Sequence, residues 1–207
     1  MKIVIFGGTG NVGSAIVAEA ADRGHEVRAV SRRAPSAELP SGASWQAGDA
    51  DDRDSVRSLA AGADVVVSAI GPSREPGGDP QAFVGTLLAL AEAVGSTRLV
   101  VVGGAGSLEA APGIRLIDTD EFPPEYLAEA RAAADSLAKL READVATEWT
   151  YLSPAPVIGA GERTGSYRVS DETPAGTFIS YADYAIALVD EVEQPAHSRA
   201  RFTVATS

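Results

Sequence analysis

Short apolar runs alternate along this chain with longer segments in which apolar residues recur every three or four positions. The first run, IVIF at 3–6, is rich in β-branched residues and stops at a glycine, which is typical of a buried strand. After it, Val12, Ile16 and Ala20 recur at the spacing of one helix face. The same pattern predicts further strands at 27–31, 44–47, 64–70, 98–102, 148–152 and 201–204, and helices at 53–61, 81–94, 124–143 and 184–192.

Strands that alternate with helices predict an α/β fold, namely a Rossmann-type doubly wound parallel sheet with helices on both faces. We expect the strand order 3-2-1-4-5-6, with a seventh strand added at one edge. The 207 residues contain no internal repeat and no pattern of a second domain. We therefore predict a single domain over residues 1–207.

A glycine-rich turn joins the first predicted strand to the first predicted helix. It contains G-x-G-x-x-G at 8–13 and also G-x-x-G-x-x-G at 7–13. Many turns are rich in glycine, but a turn that follows a strand and opens a helix is the layout in which backbone N–H groups hold a pyrophosphate. We therefore predict dinucleotide binding rather than a purely structural turn, with contacts from Gly7, Thr9, Gly10, Asn11, Val12 and Gly13.

The residues after the second predicted strand bear on the choice between the two nicotinamide dinucleotides. An NAD-selective site usually carries an acidic residue here, bonded to the ribose 2′-hydroxyl. This chain has Ser31-Arg32-Arg33 instead. Because arginine makes charge-assisted contacts with phosphate, the pattern favours NADP(H) over NAD(H). A solvated loop with two arginines is the alternative.

The composition limits which other kinds of binding site and partner the chain could have. With no cysteine and only two histidines, the chain lacks disulfides, thiolate chemistry and the best zinc ligands, so we predict no metal site. A net charge of −12 argues against a nucleic-acid partner. The sequence shows no apolar run long enough to cross a membrane and no signal-peptide pattern at its start. A cytoplasmic location is the default expectation.

Several motifs together resemble a known superfamily. The second glycine register with Thr9, GGAGSLE at 103–109, YLSPA at 151–155 and GERTGSYR at 161–168 are similar to the atypical short-chain dehydrogenases/reductases. Within that superfamily they resemble the NmrA-like, NADH-flavin reductase and biliverdin/flavin reductase group. The resemblance implies that Asp49 and Ala50 contact the adenine. It also implies that the small residues Ala69 and Gly71 let the backbone pass the adenine ribose. Farther along the cofactor it implies contacts from Gly103 and, beside the nicotinamide, from Pro154 and Ala155.

The proton-transfer pair of the classical members, Tyr-x-x-x-Lys, is absent. The only lysines are Lys2 and Lys139, and none of the five tyrosines precedes a lysine by four positions. In that pair the lysine lowers the tyrosine pKa so that the phenol exchanges a proton with the substrate oxygen. Carbonyl or alcohol chemistry by that mechanism is therefore not expected.

Two functions remain open. One is an NADPH-dependent reductase that passes hydride to a conjugated small-molecule acceptor such as a flavin or quinone. The other is a non-catalytic NADP(H)-binding redox sensor or interaction module. Ser107 and Tyr126 are the candidate polar groups near the nicotinamide, although Ser107 could cap a turn and Tyr126 could be core. We expect the acceptor to meet loops at 72–80, 103–123 and 155–180, with a hairpin at 159–168; the oligomeric state stays open.

Overall fold

An eight-stranded sheet forms the centre of the computed structural model, which describes residues 1–74 and 76–207. The strands are β1 Lys2–Phe6, β2 Glu26–Ser31, β3 Ala43–Ala47, β4 Val65–Ser68, β5 Arg98–Val102, β6 Glu109–Ala111, β7 Ile114–Arg115, β8 Trp149–Ser153, β9 Val157–Gly159, β10 Tyr167–Ser170, β11 Phe178–Ser180 and β12 Ala200–Thr206. The helices are α1 Asn11–Asp22, α2 Arg53–Ala60, α3 Ala82–Ala93, α4 Leu127–Glu142 and α5 Tyr181–Glu193.

The order of the central strands confirms the predicted α/β doubly wound fold. The sheet runs β3-β2-β1-β4-β5-β8-β12-β10, in which β8 is the sixth predicted strand and β12 the seventh. All neighbours are parallel except β10, which pairs antiparallel with β12. The prediction that β12 lies at the edge is wrong, because β10 covers it.

Helices cover both faces of the sheet, as predicted. Along β1, Ile3 and Ile5 pack in one core cluster with α1 and α5, whereas Val4 and Phe6 pack in the other with α2, α3 and α4. This alternation follows from the two-residue period of a strand. Because both faces are buried, the whole stretch 3–6 is apolar, and burying each large side chain contributes roughly 1.5–3 kcal/mol.

The strand order reverses direction between β1 and β4. Strands β2 and β3 extend from β1 to one side, and β4, β5 and β8 extend to the other. At such a reversal the connecting helices go to opposite faces, which leaves a crevice at the carboxyl ends of the strands where ligands bind in open α/β sheets. The glycine turn after β1 lies at this point.

Two of the predicted loops contain strands. Residues 103–123 include the antiparallel pair β6 and β7, and residues 155–180 include β9, β10 and β11. The predicted hairpin at 159–168 is wrong: β9 pairs with β11 in parallel, and β10 pairs with β12. Each partner lies far along the chain, so the local turn signal in GERTG did not indicate the pairing.

A buried carboxylate holds the segment around residues 161–166 instead. Asp183, at the third position of α5, is fully buried, and its two oxygens accept four hydrogen bonds. The donors are Thr164 N at 2.9 Å, Thr164 Oγ1 at 2.8 Å, Gly165 N at 3.0 Å and Thr206 Oγ1 at 3.2 Å. Arg163 adds an ion pair to Glu19 on α1 at 2.9 Å. The motif therefore fastens this segment to α5 and α1.

We expect Asp183→Ala to lower the free energy of unfolding by about 3 kcal/mol, because Thr164 N and Gly165 N would lose the oxygen that accepts their hydrogen bonds. Urea unfolding followed by circular dichroism measures the change. Asp171→Ala, at an exposed position between β10 and β11, is the matched control and should change stability by less than about 0.5 kcal/mol. Equal effects of the two substitutions would contradict the role of Asp183.

Candidate dinucleotide and substrate site

The glycine turn after β1 is wedged between two neighbouring strand ends. Gly7 adopts φ 78°, a left-handed conformation that favours glycine, and its N–H donates to Val30 O of β2 at 2.8 Å. On the other side, a Cβ on Gly7 would lie 2.6 Å from Ala69 O, just after β4. Any side chain here would push the turn away from the crevice.

The first helix begins directly from this turn and packs very closely on it. A Cβ on Gly13 would lie 2.1 Å from Gly7 O, so only glycine allows this approach. The N-cap residue is Gly10, which supplies no side-chain cap to the helix. Because the first N–H groups of a helix have no acceptor within it, those at the start of α1 are available to an anion, helped by the helix dipole.

The predicted phosphate-binding residues lie at the end of β2. Ser31 Oγ donates to Arg33 O at 2.7 Å and accepts from Trp45 Nε1 of β3 at 3.0 Å. These two bonds shape the turn, and the side chains of Arg32 and Arg33 are exposed. The indole of Trp45, which is 37% exposed, was not among the predicted site residues.

Asp49 and Ala50 follow β3 at the same edge of the sheet. The Asp49 carboxylate is half-buried and accepts from Asp51 N at 3.1 Å, which makes a local turn. Asp52, and not Asp49, caps α2, accepting from Asp54 N and Ser55 N. Asp49 therefore lies outside the cap, beside the crevice.

Ala69 and Gly71 lie beyond β4, across the crevice from the glycine turn. Ala69 N donates to Phe6 O at 2.7 Å, and Gly71 is exposed. Two side-chain contacts then join the following segment to α4: Arg74 Nε to Glu129 at 2.6 Å and Gln81 Nε2 to Asp135 at 3.2 Å. Glu75, part of the predicted loop 72–80, lies outside the described residues.

The loop after β5 rests on a buried tyrosine. A Cβ on Gly103 would lie 2.1 Å from Tyr151 Cε1, so the ring occupies the space beneath the loop. Gly104 N donates to Tyr151 Oη at 3.3 Å, and Gly104 O accepts from Ser153 Oγ at 2.9 Å. Contacts to β8 therefore hold the loop from below.

Tyr126 lies in a short 3₁₀ turn just before α4 and is 52% exposed. It is therefore not a core residue, which removes one alternative for it. The position four residues later is Ala130, and a Cβ on Gly106 would lie 3.0 Å from Ala130 Cβ. The residue four positions after Tyr126 is therefore a small side chain packed against the loop after β5, and not a lysine.

Ser107 contacts a residue that the sequence analysis missed. Its Oγ accepts from Arg201 Nη1 at 3.3 Å, and Arg201 also pairs with Glu172. Partial burial raises the pKa of the Glu172 carboxyl, but the hydrogen bond and charge of Arg201, together with Arg141, outweigh it and leave that pKa below its ordinary value. The one available signal was a charged residue at the start of the predicted strand 201–204.

Two buried tyrosines near these loops donate their phenol hydrogens to backbone carbonyls. Tyr151 Oη donates to Ala133 O at 3.0 Å, and Tyr184 Oη donates to Leu152 O at 2.6 Å. Burial raises the pKa of both tyrosines, because it disfavours the phenolate. Both phenols therefore stay neutral and do not act as proton-exchanging groups.

Pro154 and Ala155 follow β8 and are buried. Ala155 is 0% exposed and belongs to the core cluster of α1 and α5. Pro154 O accepts from Thr203 Oγ1 at 3.3 Å. In this arrangement the Ala155 side chain cannot touch a ligand, so its predicted contact would require the segment to move.

Comparisons with known proteins agree with this architecture. A family model for NAD(P)H-binding proteins matches residues 7–195. The chain is 39% identical to the uncharacterized protein YwnB of Bacillus subtilis, covering 99% of this chain and 98% of that protein. It is 44% identical to a Burkholderia pseudomallei protein described as a candidate exported protein, with a TM-score of 0.85 and 99% of both chains covered.

A second similar structure carries a name that bears on activity. SP1627 of Streptococcus pneumoniae, a candidate NADH-flavin reductase, is 35% identical over the full length of both chains, with a TM-score of 0.88. Within residues 1–74 and 76–207, none of the helices combines the length and the apolar character needed to cross a bilayer. The strand order, the glycine turn and the family match agree, and this chain belongs to the NAD(P)H-binding family within the atypical short-chain dehydrogenase/reductase group.

Proposed function

We propose that this protein is an NADPH-dependent reductase that passes hydride to a small conjugated acceptor such as a flavin or quinone. The observation that carries the proposal is the glycine turn at the reversal of strand order, where α1 begins without a side-chain cap. Gly7, Thr9, Gly10, Asn11, Val12 and Gly13 would hold the pyrophosphate. The close fit of Gly13 against Gly7 O supports this assignment, because it lets the helix N-terminus approach the crevice.

The preference for NADPH rests on the turn after β2. Ser31 Oγ is held by Trp45 and by Arg33 O, so the turn is shaped before a ligand arrives. Two guanidinium groups on one exposed turn suit a 2′-phosphate better than a ribose hydroxyl. The likeness to short-chain dehydrogenases/reductases adds Asp49 and Ala50 on the adenine and Ala69, Gly71, Gly103 and Pro154 farther along the cofactor.

We infer the class of acceptor from the side chains near the proposed nicotinamide end of the site. A bound reduced nicotinamide supplies a hydride to an acceptor placed beside it. The chain places no lysine at position 130, and Tyr151 and Tyr184 are buried and bonded to carbonyls. A conjugated acceptor spreads the charge that it gains and takes its proton from water, so positioning supplies most of the catalysis. The name of SP1627 points to the same class of acceptor.

A kinetic assay with the wild-type protein tests the proposal. Oxidation of NADPH and of NADH would be followed by absorbance with FMN, riboflavin or a naphthoquinone as acceptor. We expect acceptor-dependent oxidation that is faster, or half-saturated at lower concentration, with NADPH. Measurable NADPH binding without turnover of any acceptor would overturn the reductase assignment and favour the redox sensor.

We also propose that the protein works in the cytoplasm on a small-molecule partner. The supporting point is the proposed cofactor, because NADPH is available in the cytoplasm. The name of the Burkholderia relative points to export. Fractionation of cells that express the native gene distinguishes the two locations.

A further inference from the structure

Arg201 is an unusual residue for the strand that carries it. Its side chain is 1% exposed, yet it lies on β12 among apolar neighbours. It pairs with Glu172, and its Nε has no hydrogen-bond partner among the residues that the structure describes. Burying a charged group with incomplete hydrogen bonding costs stability, so such a residue calls for an explanation beyond packing.

The guanidinium joins two segments that are far apart in the sequence. Nη1 reaches Ser107 Oγ at 3.3 Å, and Nη2 reaches Glu172. The Glu172 backbone is bonded to the same loop, since Glu109 N donates to Glu172 O at 2.8 Å. A planar fork spans both partners at once, whereas the single nitrogen of a lysine would satisfy one of them.

The loop that carries Ser107 is held on its other side too. Ile117 N donates to Gly106 O at 3.1 Å, and Leu116 N donates to Leu108 O at 2.8 Å. Leu108 is fully buried, whereas Ser107 keeps partial exposure at the carboxyl end of β5. Ser107 therefore lies in a loop that is held on both sides, and the residue stays partly exposed.

The direction of the hydrogen bond to Arg201 determines whether the Ser107 hydroxyl can still donate a hydrogen bond. A guanidinium donates and cannot accept, so Ser107 Oγ must use a lone pair toward Arg201. Its O–H then remains available as a donor. Across residues 1–74 and 76–207, the contact with Arg201 is the one hydrogen bond that the Ser107 side chain makes.

We propose that Arg201 is a positioning residue that turns the Ser107 hydroxyl hydrogen toward the acceptor. This inference rests on the proposed reductase function. When the acceptor gains hydride, a C–H bond of the reduced nicotinamide breaks and a new bond to hydrogen forms on the acceptor, so that NADPH is oxidised and the acceptor reduced. Negative charge then develops on a conjugated oxygen or nitrogen of the acceptor. Ser107 Oγ–H donates a hydrogen bond to that atom, and water supplies the proton that completes the reduction. The Arg201–Ser107 pair thus does part of the work of the absent tyrosine and lysine.

A four-member kinetic cycle tests the proposal: wild type, Ser107→Ala, Arg201→Lys and the double variant, assayed with NADPH and a naphthoquinone. We expect Ser107→Ala to lower kcat about 100-fold with KM nearly unchanged, because the lost bond strengthens in the transition state. Arg201→Lys should lower kcat about 10-fold alone and less than about twofold in the Ser107→Ala background. A purely structural role of Arg201 would lower kcat equally in both backgrounds and would overturn the proposal.

Arg141→Lys is the matched control. Arg141 Nη2 contacts the same Glu172 carboxylate at 2.8 Å but does not contact Ser107. It should therefore leave kcat unchanged in both backgrounds. A loss as large as that of Arg201→Lys would show that Glu172, and not Ser107, transmits the effect, and would overturn the proposal.

Unfolding measurements on the same four proteins give a readout that does not require turnover. If Arg201 and Ser107 are bonded, their effects on the urea midpoint should be non-additive; additive effects would overturn the contact. If the wild type binds NADPH but reduces no acceptor, the proposed function fails and the role of the hydroxyl fails with it, even where the unfolding data show coupling. If the wild type is active and the kinetic cycle is additive, only the role of Arg201 fails.

Discussion

Replacing Gly13 by alanine is expected to lower the affinity for NADPH on the order of 100-fold. The new Cβ would lie 2.1 Å from Gly7 O, far inside van der Waals contact, so α1 and the turn must separate. Each charge-assisted bond from a backbone N–H to phosphate contributes about 1.5–3 kcal/mol, and a shifted helix start loses at least one or two. Overpacking also lowers the free energy of unfolding by about 1–3 kcal/mol. Calorimetric titration and urea unfolding measure the two effects.

The matched control is the same substitution in another helix. Gly85 lies in α3, and a Cβ there meets no atom within 4 Å. Gly85→Ala should therefore raise the free energy of unfolding by about 1 kcal/mol, as helix propensity requires, and leave NADPH binding unchanged. If Gly13→Ala also stabilised the protein and kept its affinity, the close approach of α1 to Gly7 would be refuted.

Removing both arginines after β2 is expected to weaken the binding of NADPH much more than the binding of NADH. The double variant Arg32→Ala, Arg33→Ala should bind NADPH about 10–100-fold more weakly, because contacts to the 2′-phosphate contribute about 1.5–3 kcal/mol. NADH lacks that phosphate, so its affinity should change by less than about threefold. Quenching of tryptophan fluorescence, with Trp45 beside the turn, follows both titrations.

Arg57→Ala controls for the lost positive charge. Arg57 lies in the last turn of α2, away from the carboxyl ends of the strands, and pairs with Asp54 at 2.6 Å. It should leave the ratio of the two affinities unchanged. Equal weakening of NADPH and NADH in the double variant, or tighter NADH binding by the wild type, would show that the arginines do not read the 2′-phosphate.

Local patterns predicted most of the fold because each element carries its own signal. The β-branched run before Gly7 and the helical spacing after it correctly indicated β1 and α1. Strand β4 is shorter than predicted, Val65–Ser68 instead of 64–70, and the next two residues, Ala69 and Ile70, pack against the core clusters beyond its end. The start of α4 was placed too early, since Pro124–Tyr126 forms a 3₁₀ turn that the apolar pattern does not distinguish from a helix.

The candidate site likewise contains residues that a local motif predicts and residues that only contacts between distant segments bring together. Residues that act through the backbone, such as Gly7 and Gly13, follow from a motif within one strand-turn-helix unit. Arg201 and Ser107 are 94 residues apart, and no local pattern relates them. The missed antiparallel edge strand β10 has the same cause, because its partner β12 lies far along the chain.

The sequence by itself determined the class of fold, the position of the glycine-rich turn and the lack of a Tyr-x-x-x-Lys pair. These properties depend on residue type and short spacing, which hydrophobic period and backbone freedom set locally. Only the tertiary structure decided that GERTG is fastened to Asp183, that Ala130 packs against Gly106, and that Arg201 reaches Ser107. Those contacts arise where distant strands are brought side by side, and their energies come from burial and hydrogen bonds that exist only after the sheet has formed.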